Sequence, residues 1–208
     1  MALPTFAPVD SPRLTLRPVS GDDLPDLLAV NGDNEVTRYL PYTAWQTPEE
    51  STSWLARMQA LAAAGTAVQL VMQRRSDDKV IGTLLLFKWD EGSARVELGY
   101  VLGRAHWRQG YAREAVQAVC GQAFGPMGVR RIEAEVQPDN TASNALLRSL
   151  GFACEGTLRQ RWVAKGRAYD THVYGLLADE WRAAEAATGT APPARIEATL
   201  APPTRVIR

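Results

Sequence analysis

The stretch "HWRQGYAREA" spans His106 to Ala115 and opens a helix with a charged turn that contains a glycine. The residues before it alternate in polarity like a strand, and those after it repeat small and apolar side chains at helical spacing. A helix start offers unpaired N–H groups and the positive end of the helix dipole. Gly110 lets a bulky anion approach the backbone, and Arg108 and Arg113 add positive charge. The stretch therefore predicts a diphosphate site, although an ordinary strand-to-helix turn has the same pattern.

The order of elements around this turn predicts an α+β fold. One strand is followed by two helices, an antiparallel meander, a strand–helix–strand alternation and a closing hairpin. Predicted strands cover residues 13–19, 66–75, 79–89, 93–103 and 129–138 and both arms of 152–177, and predicted helices cover 24–31, 47–64, 110–125, 139–151 and 178–188. This order indicates a mixed, mostly antiparallel central sheet flanked by helices.

The length of 208 residues suits one domain with short appendages. We expect an N-terminal extension at residues 1–10, one domain at 11–188 and a proline-rich tail at 189–208. The tail is typical of a linker, although "RIEATL" within it also has the pattern of an edge strand, in this chain or on a neighbouring one.

The composition excludes several classes of protein. Lys plus Arg equals Asp plus Glu, at 23 each, which argues against nucleic-acid or membrane-surface partners. Apolar runs stop short of the roughly 20 residues that a membrane span needs. The N-terminus lacks a secretory pattern. Two cysteines and two histidines form neither a disulfide framework nor a metal-ligand pattern. A cytoplasmic protein without a metal is expected.

A second motif follows the next predicted strand, and the two together resemble the GCN5-related N-acetyltransferase (GNAT) superfamily. Its first motif, Gln/Arg-x-x-Gly-x-Gly/Ala at a helix start, is matched at Gly110 and Ala112, although Trp107 stands where Gln or Arg is usual. Its second motif, Asn-x-x-Ser/Ala followed by Leu-Gly-Phe, is matched by Asn140, Ser143, Leu150, Gly151 and Phe152. The segments "RLTLRPV", "TRYLP" and "GRAYDTHVYGLL", together with Trp107, are similar to the Rim-type branch of ribosomal-protein alanine N-acetyltransferases. The resemblance covers about residues 11 to 180.

The resemblance implies a GNAT fold and acetyl-CoA as the acetyl donor. It implies that the central sheet splays between two strands to admit coenzyme A. It places the pyrophosphate on the turn and helix start, at Arg108, Gln109, Gly110, Tyr111, Ala112 and Arg113.

The remaining coenzyme A contacts are also implied by the resemblance. The pantetheine arm is expected along the preceding strand, held by the backbone of Tyr100, Val101 and Leu102. Gly99 is expected to form a bulge where this strand leaves its neighbour. On the other side of the cleft the resemblance places Asn140, Ser143 and Asn144.

Acetyl transfer to an amine needs a base, an oxyanion donor and a hydrogen-bond donor for the leaving thiolate. Glu97 is the candidate base, since it shares a strand face with residues 99 and 101, and the alternative is a surface ion pair with Arg95. The N–H around Tyr100 or Val101 is the candidate oxyanion donor.

The acid is harder to assign. Many members of the superfamily carry a tyrosine seven residues beyond the motif asparagine, where this chain has Leu147. Ser143 is the replacement candidate, and its alternative roles are a helix cap or a cofactor contact. Tyr169 and Tyr174 on the last hairpin are further candidates.

The sequence therefore favours an N-acetyltransferase that acts on a primary amine, and the Rim-type resemblance favours a protein N-terminus. A small-molecule amine such as an amino sugar, an antibiotic or a polyamine is the alternative acceptor. Two other classes stay open: a non-catalytic acyl-CoA-binding module, and an unrelated α+β protein that binds any diphosphate. An exposed meander edge and the tail also allow a homodimer.

Overall fold

The computed structural model describes residues 2–188. Met1 and residues 189–208 lie outside the described part, and so does the edge strand predicted within "RIEATL".

The described chain forms an α+β layer, as the sequence predicts. Its strands are β1 (Val9–Asp10), β2 (Leu14–Pro18), β3 (Val68–Arg74), β4 (Val80–Asp90), β5 (Arg95–Leu102), β6 (Arg131–Val136), β7 (Ala153–Ala164) and β8 (Arg167–Leu177). Its helices are α1 (Leu24–Asn31), α2 (Asn34–Thr37), α3 (Pro48–Ala63), α4 (Tyr111–Phe124), α5 (Thr141–Ser149) and α6 (Ala178–Thr188). The strands follow the order β1-β2-β3-β4-β5-β6-β8-β7 in one sheet. All neighbours are antiparallel except β5 and β6, which are parallel.

The start of α3 shows how local sequence determines an element. Thr47 is the N-cap and Pro48 opens the helix. The Glu50 carboxylate accepts the Thr47 backbone N–H at 3.0 Å and closes a capping box. This bond satisfies one polar group at the helix start, so the predicted start is confirmed.

The two faces of the sheet pack against different helices. One face buries the larger core, in which Leu84, Leu98 and Ile132 pack beneath apolar residues of α4, α5 and α6. The other face holds a smaller core where Leu27 of α1 packs against Val71 and Trp45. We call these the α4 face and the α1 face.

The sheet splits between β5 and β6, as predicted. The parallel register between them runs only from Arg95 opposite Arg131 to Glu97 opposite Glu133. Beyond that point β5 stays with β4 as far as Leu102, and β6 stays with β8 as far as Val136. The facing edges of the two strands therefore diverge just after Glu97.

The bulge predicted at Gly99 is wrong. The register between β4 and β5 is continuous from Gly82 opposite Leu102 to Phe87 opposite Glu97. The irregularity lies on β4 instead, where the register shifts between Phe87 and Asp90 and Lys88 has φ +54°. One extra residue in β4, rather than a glycine in β5, thus makes the ladder irregular beside the split.

Candidate active site

The turn before α4 leaves backbone donors exposed. Gly110 is the N-cap with φ +83°, and Arg108 before it also has a left-handed φ of +58°. Glu114 N–H donates to the Gly110 carbonyl at 3.0 Å, which leaves the amides of the first turn without an intrahelical acceptor. A side chain at Gly110 would be strained at this φ and would approach Arg13 Nη2 at 3.3 Å. The backbone is therefore shaped to receive an anion at this helix end.

The side chains in and around the turn make different contacts. Gln109 donates back to the Ala105 carbonyl at 2.8 Å, which holds the turn itself. Arg113 Nη1 donates to Ser149 Oγ at 2.8 Å and connects α4 to the end of α5. Arg13 lies 4.3 Å from the Tyr111 ring centroid. Arg108 is exposed beside the open amides, so among the side chains of this turn it is well placed to contact a phosphate.

The backbone of β5 differs in direction at the three predicted pantetheine contacts, Tyr100, Val101 and Leu102. Trp107 Nε1 donates to the Leu102 carbonyl at 2.8 Å and so occupies that acceptor. Gly103 N–H donates to the Ile81 carbonyl, at the start of β4, at 2.8 Å. Because backbone groups alternate sides along an antiparallel strand, Val101 also points toward β4 and Tyr100 points to the split. Tyr100 therefore keeps both backbone groups on the open edge, Leu102 keeps its N–H there, and Val101 is unsuited as an oxyanion donor.

Ser143 meets Tyr100 across the split. Asn140 caps α5 by accepting the Ser143 backbone N–H at 3.2 Å. The Ser143 hydroxyl lies 2.6 Å from the Tyr100 hydroxyl. Burial raises the pKa of Tyr100 to about 12, so this phenol stays neutral at physiological pH. One hydroxyl therefore donates its hydrogen to the other, and the hydrogen of the second hydroxyl stays available for another acceptor.

Asn144 does not face the split, contrary to its predicted contact with the cofactor. Its amide nitrogen donates to the carbonyls of Asn140, Gln137 and Pro138, at 2.7, 3.1 and 3.3 Å. Its oxygen accepts the Tyr174 hydroxyl at 2.7 Å and lies 3.0 Å from His172 Nδ1. Asn144 is 4% exposed, and its side chain joins the β6–α5 loop to β8.

Glu97 lies at the mouth of the split on the α1 face. It is buried, and its carboxylate accepts from Lys88 Nζ at 2.7 Å. Burial raises the pKa of Glu97 above its ordinary value, and the Lys88 ammonium opposes that rise. The alternative partner Arg95 contacts Glu133 and Asp90 instead. Glu97 is thus a buried carboxylate paired with Lys88, and it forms no surface ion pair with Arg95.

A cluster around Glu97 was not predicted. Lys88 Nζ also lies 3.8 Å from Glu135 Oε1, and Trp162 Nε1 donates to the Glu135 carboxylate. The sequence held a partial signal, since "RIEAEV" places Glu133 and Glu135 on one strand face. Nothing in the sequence indicated that Lys88 would join this cluster, because the direction of its side chain depends on the bulge in β4.

The remaining tyrosines, Leu147 and the two cysteines differ in burial. Leu147 is fully buried, and the hydroxyl of Tyr174 is bonded to Asn144 in the core. Cys120 is buried on the core face of α4, where burial raises its thiol pKa, and Cys154 is exposed. Tyr169 is half-buried opposite Trp162 on the last hairpin.

Within residues 2–188, no three His, Cys, Asp or Glu side chains are close enough to hold a metal ion. Over the same residues, no helix is long and apolar enough to cross a membrane.

The sheet is split, with a glycine turn on one face and a buried carboxylate at the mouth of the split. Comparison of the sequence with known protein families agrees with this arrangement. The model for the acetyltransferase (GNAT) domain matches residues 13–153, well over half of the chain. The chain belongs to the GNAT acetyltransferases. As predicted, it is an acetyl-CoA-dependent acetyltransferase.

Similar proteins cover nearly the whole GNAT domain. The N-acetyltransferase p20 of Bacillus licheniformis is 38% identical over 169 residues, which are 81% of this chain and 95% of p20. A GCN5-related N-acetyltransferase from Brucella melitensis has a TM-score of 0.81 and 25% identity, over 91% of this chain and 88% of that one. These matches extend beyond the two motifs to the whole fold.

Structural neighbours with named acceptors differ in what they acetylate. A ribosomal L7/L12 alpha-N-protein acetyltransferase, solved with coenzyme A, has a TM-score of 0.74 and 22% identity, over 82% of this chain and 97% of that one. A spermidine N-acetyltransferase from Vibrio cholerae, solved with coenzyme A and spermine, has a TM-score of 0.72 and 19% identity, over 81% and 98%. At these identities the likeness shows the fold alone.

Proposed function

We propose that this protein transfers the acetyl group of acetyl-CoA to the α-amine of a protein N-terminus. The observation that carries the proposal is the position of Glu97. It lies at the mouth of the split, on the face opposite to the glycine turn. Donor and acceptor would then approach from opposite faces and meet between β5 and β6.

The donor side fits coenzyme A. The amides of the first α4 turn and Arg108 would hold the pyrophosphate, and Ala112 and Arg113 belong to that turn. The open Tyr100 carbonyl and the Leu102 N–H would bind the pantetheine amides as an added strand would. Asn140 would keep Ser143 at the far wall of the cleft. Acetyl-CoA supplies the activated acetyl group.

The acceptor side fits amide formation. The amine must lose a proton before it attacks, because an α-amine titrates near roughly 8. Glu97 would take that proton, directly or through water, while the C–N bond forms and the C–S bond breaks. The Tyr100 N–H would donate to the oxygen that becomes negative. The Ser143 hydroxyl would donate to the departing sulfur.

The pairing of Tyr100 with Ser143 makes a prediction. Tyr100→Phe and Ser143→Ala are each expected to lower kcat by about tenfold, at unchanged KM for acetyl-CoA, because each removes one hydroxyl of a donor pair. The double variant should lose little more than either single one. Steady-state rates of the four proteins measure this, and additive losses would contradict a shared role.

The charges around Glu97 favour a single ammonium over a polycation. Glu133 accepts from Arg95 and Arg131, and Glu135 lies 3.5 Å from Arg161 as well as 3.8 Å from Lys88. These carboxylates therefore already have basic partners, and a polyamine would gain little from them. This balance supports a protein N-terminus over the alternative of a polyamine.

The shape of the α1 face also supports a chain end as acceptor. Lys165 at the tip of the β7–β8 hairpin donates to the Thr37 carbonyl at 2.7 Å and thereby closes the C-terminal end of α2. Tyr39 OH donates to the Asp139 carbonyl at 3.0 Å. The segment after α2 and the last hairpin would thus form two walls of an acceptor groove that leads to Glu97.

The boundaries and surroundings follow from the same proposal. The domain would span residues 11–188 together with Phe6, which is buried in the core, and β1, which pairs with β2, and the tail would add to it without supplying the site. A cytoplasmic location fits an enzyme whose acceptors are protein N-termini, and a homodimer stays a prediction.

A panel of acceptors tests the proposal. Free thiol release from acetyl-CoA would be followed with Ala-, Ser- and Met-starting peptides, spermidine and an aminoglycoside. We expect turnover on a peptide to exceed turnover on either small amine by at least tenfold. Turnover confined to the small amines would move the function to the alternative acceptor, and acetyl-CoA binding without any turnover would favour the non-catalytic module.

A further inference from the structure

Lys88 holds its ammonium group where the strands of the split diverge. Its Nζ lies 2.7 Å from Glu97 Oε2 on β5 and 3.8 Å from Glu135 Oε1 on β6. The same atom lies 5.3 Å from the ring centroids of both Phe87 and Trp162. Carboxylates and aromatic faces together are the groups that attract an organic cation. The ammonium therefore spans the mouth of the split on the α1 face.

The backbone at Lys88 shows that this position is built rather than incidental. Lys88 has φ +54°, which is unfavourable for a residue with a Cβ. The irregular register around it is the only one recorded along the β4–β5 ladder within the described residues. Bulges commonly redirect a side chain next to a site. Here the redirected side chain reaches the buried carboxylate at which the acceptor would be deprotonated.

We propose that the Lys88 ammonium occupies the subsite of the acceptor amine and is displaced by the substrate. The inference rests on the proposed function in taking a primary amine as acceptor. The subsite would take one primary ammonium, with a small or apolar group next to it against Phe87 and Trp162. Lys88 is 40% exposed in its side chain, so it has solvent on one side into which it can move.

The exchange explains why a lysine is present beside the base. Glu97 is 8% exposed, and a buried carboxylate without a partner is costly. Lys88 supplies a partner before the acceptor arrives, and the ammonium of the acceptor supplies one afterwards. Lys88 therefore acts as an internal competitor that weakens acceptor binding while it keeps Glu97 paired.

Calorimetric titration of an Ala-starting peptide into the protein saturated with coenzyme A tests this. Coenzyme A lacks the acetyl group, so binding is measured without reaction. Lys88→Met is expected to lower the Kd of the peptide by about three- to tenfold, since the competing cation is gone. Lys88→Arg should leave the Kd near that of the wild type, because it keeps a cation in place. The same peptide with an acetylated N-terminus should bind the wild type at least tenfold more weakly.

Lys79→Met is the matched control. Lys79 pairs with Asp26 at 3.3 Å at the opposite end of β4, so this variant removes the same charge away from the site. An unchanged or larger Kd for Lys88→Met, an equal change for Lys79→Met, or no peptide binding by any variant would overturn the inference. Thermal unfolding of each variant checks that it is folded.

The binding assay separates this inference from the proposed function. If the Kd values follow the expectation and no acetylated peptide forms from acetyl-CoA, the proposed function fails and the Lys88 subsite stands. If the peptide is acetylated but Lys88→Met binds it no more tightly, the proposed function stands and the competitor role of Lys88 fails.

Discussion

Glu97→Gln is expected to lower kcat by about 100-fold, because the amide cannot accept the proton of the acceptor amine. The substitution keeps the shape of the side chain beside Lys88. Affinity for acetyl-CoA should stay within about twofold, since the proposed cofactor contacts lie on the other face. Steady-state rates on a peptide acceptor, with a separate binding titration of acetyl-CoA, measure both quantities.

The pH dependence gives a second test of Glu97. Its pKa is raised by burial, so activity should fall as pH drops through a value above the ordinary range of a glutamate. The carboxylate is the active form, hence this limb lies on the acidic side of the kcat/KM profile. The limb should be absent from Glu97→Gln.

Glu133→Gln is the matched control for both measurements. Glu133 lies opposite Glu97 across the β5–β6 ladder but pairs with Arg95 and Arg131. We expect its kcat to stay within about threefold of the wild type. Equal losses in the two variants would show that the acidic cluster acts through structure and that Glu97 has no distinct role.

Asn144→Ala is expected to destabilise the protein by about 3 kcal/mol or more. The substitution leaves the Tyr174 hydroxyl and several backbone carbonyls without their partner in a buried place. Each buried polar group left unpaired costs about 1–3 kcal/mol. Urea unfolding monitored by circular dichroism measures the free energy of unfolding.

Asn140→Ala provides the comparison on the same helix. The Asn140 side chain has no comparable network, because it accepts a single backbone N–H as the cap of α5. Its loss should cost about 1 kcal/mol. A cost for Asn144→Ala no larger than that of Asn140→Ala would contradict the structural role and return Asn144 to the cofactor site.

The fold could be predicted because its signals are local. The capping box at Thr47, the alternation along β2 and the glycine turn before α4 depend on residues that are neighbours in the chain. The divergence of β5 from β6 was expected only through the resemblance to a family. Its physical marker, the end of the parallel register after Glu97, depends on contacts between segments far apart in sequence.

The errors at the site have physical reasons. Asn144 and Leu147 lie three residues apart and are both buried, so they share the inner face of α5. A polar residue on that face indicates a side chain that is hydrogen-bonded inside the protein. The resemblance to the family motif led instead to a predicted contact with the cofactor. The prediction for Val101 failed because the side to which a backbone group points depends on the strand register, which periodicity alone does not determine.

The partners of the catalytic candidates were beyond sequence reasoning. The hydrogen bond between Tyr100 and Ser143 joins residues from β5 and α5, and the contact of Lys88 with Glu97 depends on a bulge. Neither contact leaves a pattern in the sequence, since both arise from how strands and helices pack.

The measurement that tests the central claim most directly is the identification of the acetylated atom. The protein would be incubated with acetyl-CoA and an Ala-starting peptide that also contains an internal lysine, and tandem mass spectrometry would locate the acetyl group. We predict acetylation of the α-amine that disappears when Glu97→Gln replaces the wild type. An acetyl group on the lysine side chain, or equal α-amine acetylation by the variant, would contradict the account.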